Sequence, residues 1–315
     1  MTRAVVLDLP GGMASSLAIT LDALATANTL ARGPAPFDVV RLKIGRAVRF
    51  AFAPGDVVIV PGLGTATEES LTARLAEPAV QRAVRLLAQA RADGAMIAAS
   101  CAGTFLVAAA GLLAGRRATT TWWLGQVFRR LHPDVDLVPE QIVVADWPVA
   151  TAGAAMAQMD LMLAVIAKFA GTGLAEACAR YLLLDRRASQ VPYMAITFMA
   201  GQDPQVARAE SWLRRNLDRD VTMDDLAGAA GLTPRTFARR LKAVCGLSPV
   251  RFAQRIRLEA AVTLLATTGL AVDEVARRVG YAEPTTLRRL LRRDAGRPPS
   301  ALRHNPARTG GKGRS

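Results

Sequence analysis

The stretch AMIAASCAGTFLVAAAGLLAG, residues 95–115, carries no charge from end to end. Its first part, AMIAAS, is an apolar run of strand length, and GTFLVAAAGLL is an apolar run of helix length. Between them stand Ser100, Cys101, Ala102 and Gly103, small enough for a sharp turn. A run this long is also sufficient to cross a bilayer. Its composition argues otherwise: alanine and glycine dominate, Ser100, Cys101 and Thr104 lie inside it, and no aromatic belt flanks it. The run reads as a buried strand, a tight turn and a buried helix, with the Cys101 thiol at the turn.

Working outward, strands alternate with helices. RAVVLDL is a strand, followed by a helix near 17–30; FDVVRLKI and GDVVIV are further strands. EPAVQRAVRLLAQARADG is an amphipathic helix ending at Gly94, QIVVADWPVAT a hairpin turning near Trp147-Pro148, and 155–170 a helix. This alternation predicts a mostly parallel sheet with helices on both faces. Ligands in such folds sit at the carboxyl ends of the strands. DLPGG, PGLG and SCAG all fall at that edge, with Asp8 and Asp22 as its acidic candidates. A local turn or cap bond is the other use of such residues. Trp122, Trp123 and Trp147 are core residues or stacking surfaces for a ligand.

The net charge is +14, and it is unevenly placed: +2 over residues 1–207 and +12 over 208–315. A basic end joined to a near-neutral body reads as a nucleic-acid-binding module attached to something else. Cys101, Cys178 and Cys245 are far apart, with no CxxC and no Cys/His cluster. Neither a disulfide framework nor a metal site is implied, no cofactor is expected, and a reducing cytoplasm is. The sequence MTRAVVLDLPGG lacks a signal peptide's apolar region.

From about Gln205 onward the pattern is short amphipathic helices. Thr222 and Asp225 form a capping box, and the helix they open breaks at Gly231. Thr233-Pro234 starts the next one with a hydroxyl cap and a proline whose missing N–H costs nothing. Leu226, Leu232, Phe237 and Leu241 share a core, and the arginines point elsewhere. Two helices joined by a short glycine turn, the second basic, are a helix-turn-helix. Ser248-Pro249 opens a longer helix to about Thr268. The pattern then repeats: a helix over 271–279, a turn at Gly280, and a basic helix from Pro284.

LAGAAGLTPRTFARRLKAVCGLSPVRFAQRIRLEAAVTLL and VARRVGYAEPTTLRRLLRRDAGRPPSALR resemble the DNA-binding domain of the AraC/XylS family of transcription regulators. The resemblance implies that Arg235, Thr236 and Arg239 face the major groove from the first recognition helix. From the second, Thr285, Thr286, Arg288 and Arg289 do so. Arg240, Lys242, Arg251 and Arg292 are placed as phosphate contacts. The chain departs from the family at Leu287, Leu291 and Leu302, where aromatic residues are usual, and at Glu283, which replaces a serine cap. The preceding part resembles the class I glutamine amidotransferase-like fold, specifically the flavodoxin-like DJ-1/PfpI superfamily, with Cys101 at the elbow and Gly62-Leu63 in the facing loop. Catalytic members carry a histidine after or near the cysteine, or a glutamate after the first strand. Here Ala102 follows Cys101, and Ser16 stands near the glutamate position. Many relatives read TTHW, where this chain has Thr120, Thr121 and Trp122. The histidines are His132 and His304. GLLAGRRATTTWW, RRASQVPY and the order of the two parts resemble the GlxA-like subgroup of AraC regulators.

The expected chain is therefore an α/β domain over 1–200, a linker at 201–207, an all-α domain with two helix-turn-helix motifs over 208–305, and a disordered tail at 306–315. The expected function is that of a ligand-responsive, DNA-binding transcription regulator. It is a homodimer without a membrane segment, contacts promoter DNA and RNA polymerase, and is not an enzyme. Its small-molecule effector pocket comprises Asp8, Gly62, Leu63, Cys101, Ala102, Thr121 and Trp122. Two alternatives stand beside this: a cysteine-dependent amidase- or glyoxalase-like enzyme with a DNA-tethering tail, and a nonspecific basic binder.

Overall fold

A computed structural model describes residues 1–185, 187, 189–190, 194–294 and 298–302. His304 and the 306–315 tail lie outside them. The chain divides into two compact units, Met1–Gln190 and Val191–Ser315.

In chain order the first unit contains β1 (Thr2–Asp8), α1 (Ala14–Leu30), β2 (Phe37–Lys43), β3 (Val57–Val60), α2 (Glu68–Ala76), α3 (Pro78–Ala92), β4 (Met96–Ser100) and α4 (Gly103–Ala109). Then follow β5 (Arg117–Ala118), a 3₁₀ turn at Trp122–Leu124, α5 (Gly125–Leu131), β6 (Asp136–Leu137), β7 (Val143–Asp146), β8 (Val149–Ala152), α6 (Ala157–Ala170) and α7 (Thr172–Tyr181). The main sheet has the order β2-β1-β3-β4-β8-β7. Its pairs are parallel except β7–β8, the hairpin read from QIVVADWPVAT.

The two-residue period of a strand explains why apolar runs build this sheet. Val5, Leu7, Val58, Val60, Ile97 and Ala99 point into one core, packed with Leu87, Phe105, Leu106 and Phe128. Their neighbours Ala4, Val6, Val57, Ile59 and Ala98 point into the other, with Leu24, Leu161, Val165 and Ile166. The stretch 95–115 supplies β4, the turn and α4, and residues 97–108 are buried. Among the described residues, no helix is long and apolar enough to cross a membrane. Helix α1 starts at Ala14, three residues before the sequence reading, with Met13 as a cap that makes no side-chain bond.

The second unit contains α8 (Ile196–Ala200), α9 (Pro204–Arg215), α10 (Met223–Ala230), α11 (Pro234–Cys245), α12 (Pro249–Thr267), α13 (Val272–Arg278), α14 (Pro284–Asp294) and α15 (Pro299–Leu302). Residues 204–207, read from sequence as linker, are the first turn of α9. The reason is local: Asp203 accepts from the N–H groups of Gln205 and Val206, and Val206, Ala209 and Leu213 make a buried face. The caps otherwise follow the sequence. Thr222 and Asp225 form the capping box, and the Thr233 and Ser248 hydroxyls accept from the N–H groups of Thr236 and Arg251. Leu226, Phe237 and Leu241 are buried. Leu287 and Leu291 are buried in a second core, with Leu302 packed against it.

Candidate functional site

In the first unit, β1 lies between β2 and β3, so the crossovers leave it in opposite directions. Open α/β sheets bind their ligands at such a switch point. A cavity of about 270 Å³ opens at that point, lined by Asp8, Gly11, Gly12, Met13, Arg41, Gly62 and neighbouring residues. Arg41 reaches Asp8 at 2.8 Å, placing an ion pair in the wall. Arg74 donates to the Pro10 carbonyl at 2.6 Å and buttresses the loop from outside. The loops are tied together by Met13 N–H to the Gly62 carbonyl and by Gly62 N–H to Ser16 Oγ, at 2.9 and 3.0 Å.

Cys101 sits on the sharp turn expected of it, with φ at +53°. Few non-glycine residues adopt such a backbone, and it must be held by its surroundings. Its N–H donates to the Ala152 and Gly153 carbonyls, and the Thr120 hydroxyl donates to its carbonyl at 2.7 Å. The side chain is 3% exposed. Burial pushes the thiol pKa up; the Ala102 N–H, the Thr121 hydroxyl and the Ala155 N–H pull the other way and are outweighed. The Thr121 hydroxyl favours the thiolate without reaching full hydrogen-bond geometry with any described group.

Of the seven pocket residues read from sequence, Asp8 and Gly62 line the cavity. Leu63, Cys101, Ala102 and Thr121 are buried. Gly62 lies against the elbow: a Cβ there would stand 3.3 Å from the Cys101 Cβ. Trp122 is half-buried and packs edge-to-face on Trp123 at 5.0 Å. Asp22 is exposed on α1. His132 lies tilted against Phe128 and edge-on to Phe105, and burial lowers its pKa against the pull of Asp134. Sequence reading placed DLPGG, and with it Gly11 and Gly12, at this edge without naming them in the pocket, and it missed Arg41 and Arg74. Arg41 carried no signal in the sequence.

In the second unit, Gly231 and Gly280 make the two turns with φ of +68° and +77°. Arg235, Arg239 and Lys242 stand at i, i+4 and i+7 on α11 and are exposed, while Phe237, Leu241 and Cys245 are buried on its other side. On α14, Thr285, Arg288, Arg289 and Arg292 form the same kind of row and line a shallow cavity with Arg293. Leu287, Leu290 and Leu291 are buried opposite. Several expected contacts are already engaged. Arg240 Nε donates to Asp203 at 2.5 Å, Arg288 pairs with Asp273 at 2.6 Å, and Lys242 donates to the Gly246 carbonyl at 3.1 Å. Thr236 is half-buried and its hydroxyl accepts from Thr233, Thr286 N–H donates to the Glu283 carbonyl, and Arg251 is exposed near the start of α12. Arg235, Arg239, Arg289 and Arg292 carry no ion pair to a described residue.

A sequence model of the DJ-1/PfpI family matches residues 47–168, and one described as a helix-turn-helix domain matches residues 226–305. The chain carries a DJ-1/PfpI domain followed by an AraC-type helix-turn-helix domain. It is similar to the HTH-type transcriptional regulator GlxA of Rhizobium meliloti, 28% identical over 67% of this chain and 65% of that one. It is also similar to the HTH-type transcriptional regulator GbdR of Pseudomonas aeruginosa, 26% identical over 78% and 65%. The match thus spans slightly less than two thirds of these relatives' length. Among solved structures, Drosophila melanogaster DJ-1beta is 19% identical, with a TM-score of 0.43, over 59% of this chain and 99% of that one.

Proposed function

We infer that the chain is a sequence-specific DNA-binding transcription regulator whose DJ-1/PfpI domain binds a small-molecule effector. One observation carries the reading: two repeated helix-turn-helix units each present an exposed arginine row opposite a buried apolar row. An arginine fork matches guanine O6 and N7, and phosphate contacts fix the register. Arg235, Arg239 and Arg289 are the readers. Arg292, Lys242 and Arg251 position the duplex. Thr285 and Thr286 contact its edge from the start of α14. Arg240 supports α11 through Asp203 instead.

The effector site is the cavity at the β1–β3 edge, walled by Asp8, Arg41 and Gly62, with Cys101 buried behind it. An effector that binds one arrangement of the protein better than another shifts its DNA binding or its contact with polymerase. The protein acts as a homodimer in the cytoplasm. Cysteine catalysis is disfavoured: the thiol is buried, its pKa is raised, and the groups acting on it are two N–H groups and a hydroxyl, with no base among them.

Selection of duplexes from a random pool by the purified protein, at near-physiological salt, tests the reading. The expected result is an enriched motif with two short half-sites about 10 bp apart. Binding that enriches nothing and fades as salt rises overturns it in favour of a nonspecific basic anchor.

A further inference from the structure

Two motifs, TTTWW and RRASQVPY, line neither the cavity nor the basic helices, although Thr121 and Trp122 were expected in the pocket. The fold brings them together. Ser189 pairs with Gln141 in an isolated antiparallel bridge, and Gln190 N–H donates to the Glu140 carbonyl at 2.9 Å. Gln190 is the last residue of the first unit and is 3% exposed. Its carboxamide enters a polar cradle. Nε2 donates to the Pro139 carbonyl at 2.6 Å and the Thr120 carbonyl at 3.1 Å, with the Thr119 hydroxyl and the Gln141 carbonyl each 3.3 Å away. Oε1 accepts from Ala154 N–H at 3.1 Å.

Acceptors surround the nitrogen and a donor faces the oxygen, so the orientation is fixed: a flipped amide would set oxygen against carbonyls. The fit also requires glycine at position 153, where a Cβ would stand 2.3 Å from Oε1. Gln190 grips three segments, at 119–120, 139–141 and 154, and the first and last of them belong to the stretches that hold the elbow. Thr120 donates to the Cys101 carbonyl, and the Cys101 N–H donates to the Ala152 and Gly153 carbonyls.

We propose that Gln190 is the positioning residue of the elbow, clamping segments 119–121 and 153–155 around Cys101 and coupling them to the chain that leaves the first unit. An effector that shifts either segment loosens the Gln190 carboxamide, and release of that carboxamide loosens the elbow. The coupling is reciprocal by linkage.

The test uses the full chain and the variants Gln190→Ala, Gln190→Glu and Gly153→Ala. Iodoacetamide labelling is followed by mass spectrometry, with buried Cys178 as the reference thiol in the same unit. Cleavage by trypsin after Arg186 and Arg187 is followed in parallel. Cys101 labelling is expected to rise about tenfold, the scale of one buried hydrogen bond lost, with Cys178 unchanged and cleavage faster. Gln190→Glu keeps shape and the Ala154 contact but turns a carboxylate toward the carbonyls, so it gives the same result without a cavity or a clash. Parallel acceleration of Cys101 and Cys178 means general loosening and overturns the proposal, as does an unchanged Cys101. Neither readout involves DNA or an effector, so their outcome stands apart from that of the regulator reading.

Discussion

Arg239 and Arg240 are adjacent on α11, and of the two Arg240 is the one paired with a carboxylate, which makes them a matched pair for separating reading from support. Arg239 is exposed with no ion pair to a described residue, whereas Arg240 is bound to Asp203. A bidentate arginine–guanine contact contributes about 1–3 kcal/mol of discrimination, or roughly 5- to 150-fold in affinity. The Arg240–Asp203 pair is half in water, with side-chain exposures of 44% and 11%. Screening limits such a pair to at most about 1 kcal/mol. Asp203 also keeps its bonds to the Gln205 and Val206 N–H groups when Arg240 is removed. Arg239→Ala is therefore expected to lose 5- to 150-fold affinity, roughly, for the selected duplex, little for a scrambled one, and no thermal stability. Arg240→Ala is expected to lower the melting temperature slightly and weaken both duplexes by less than about fivefold. Fluorescence anisotropy on both duplexes, with thermal unfolding of both variants, measures all of this. Equal losses on both duplexes for Arg239→Ala would make it a phosphate contact. A loss confined to the selected duplex for Arg240→Ala would refute the assignment of its partner.

The two turn glycines separate backbone strain from collision. At Gly231 an added Cβ meets, among the described residues, an Arg208 nitrogen at 3.7 Å and nothing nearer, so Gly231→Ala should cost about 1–2 kcal/mol from its left-handed backbone. At Gly280 the Cβ would stand 2.2 Å from the Leu217 carbonyl, so Gly280→Ala should cost clearly more; urea titrations of both variants decide. Thiol alkylation against pH should show Cys101 still gaining rate above the range of a free thiol, because burial raises its pKa, and Cys245, pushed up to about 12, inert at neutral pH. A Cys101 rate that levels off below pH 8 would restore the enzyme reading. His132 has a lowered folded pKa, so the unfolded chain binds its proton more readily and stability falls as pH drops through about 6.5. His132→Gln should flatten that part of the stability profile, read by thermal unfolding between pH 7 and 5.

The parts legible in the sequence are those set by neighbours along the chain. Capping boxes, proline starts and glycine turns act over three or four residues, which is why Thr222, Thr233, Ser248, Gly231 and Gly280 stand where their types imply. The elbow was legible for the same reason: an uncharged strand, a run of small residues and an apolar helix admit few other arrangements. The pocket's composition was not. Arg41 meets Asp8 across 33 residues, Arg74 meets Pro10 across 64, and Arg240 meets Asp203 across 37. No period or cap announces such pairs, because both partners have ordinary local roles that the sequence fits equally well.

That division explains the surplus of arginines assigned to DNA. A basic helix face reads as one surface in sequence, since charge is counted per residue and not per partner. In the fold, Asp203 and Asp273 each engage one arginine. Asp203 is the N-cap of α9; burial raises its pKa, but the Val206 and Gln205 N–H groups and Arg240 outweigh that and hold it below the usual carboxylate range. It stays charged at neutral pH and keeps Arg240 turned toward it. The arginines without such a carboxylate, Arg235, Arg239, Arg289 and Arg292, retain a guanidinium face for an external acceptor. On the proposed reading, the aspartates thus thin a basic surface down to a few positions, and fewer, better-placed forks are left for a duplex than the net charge alone implies.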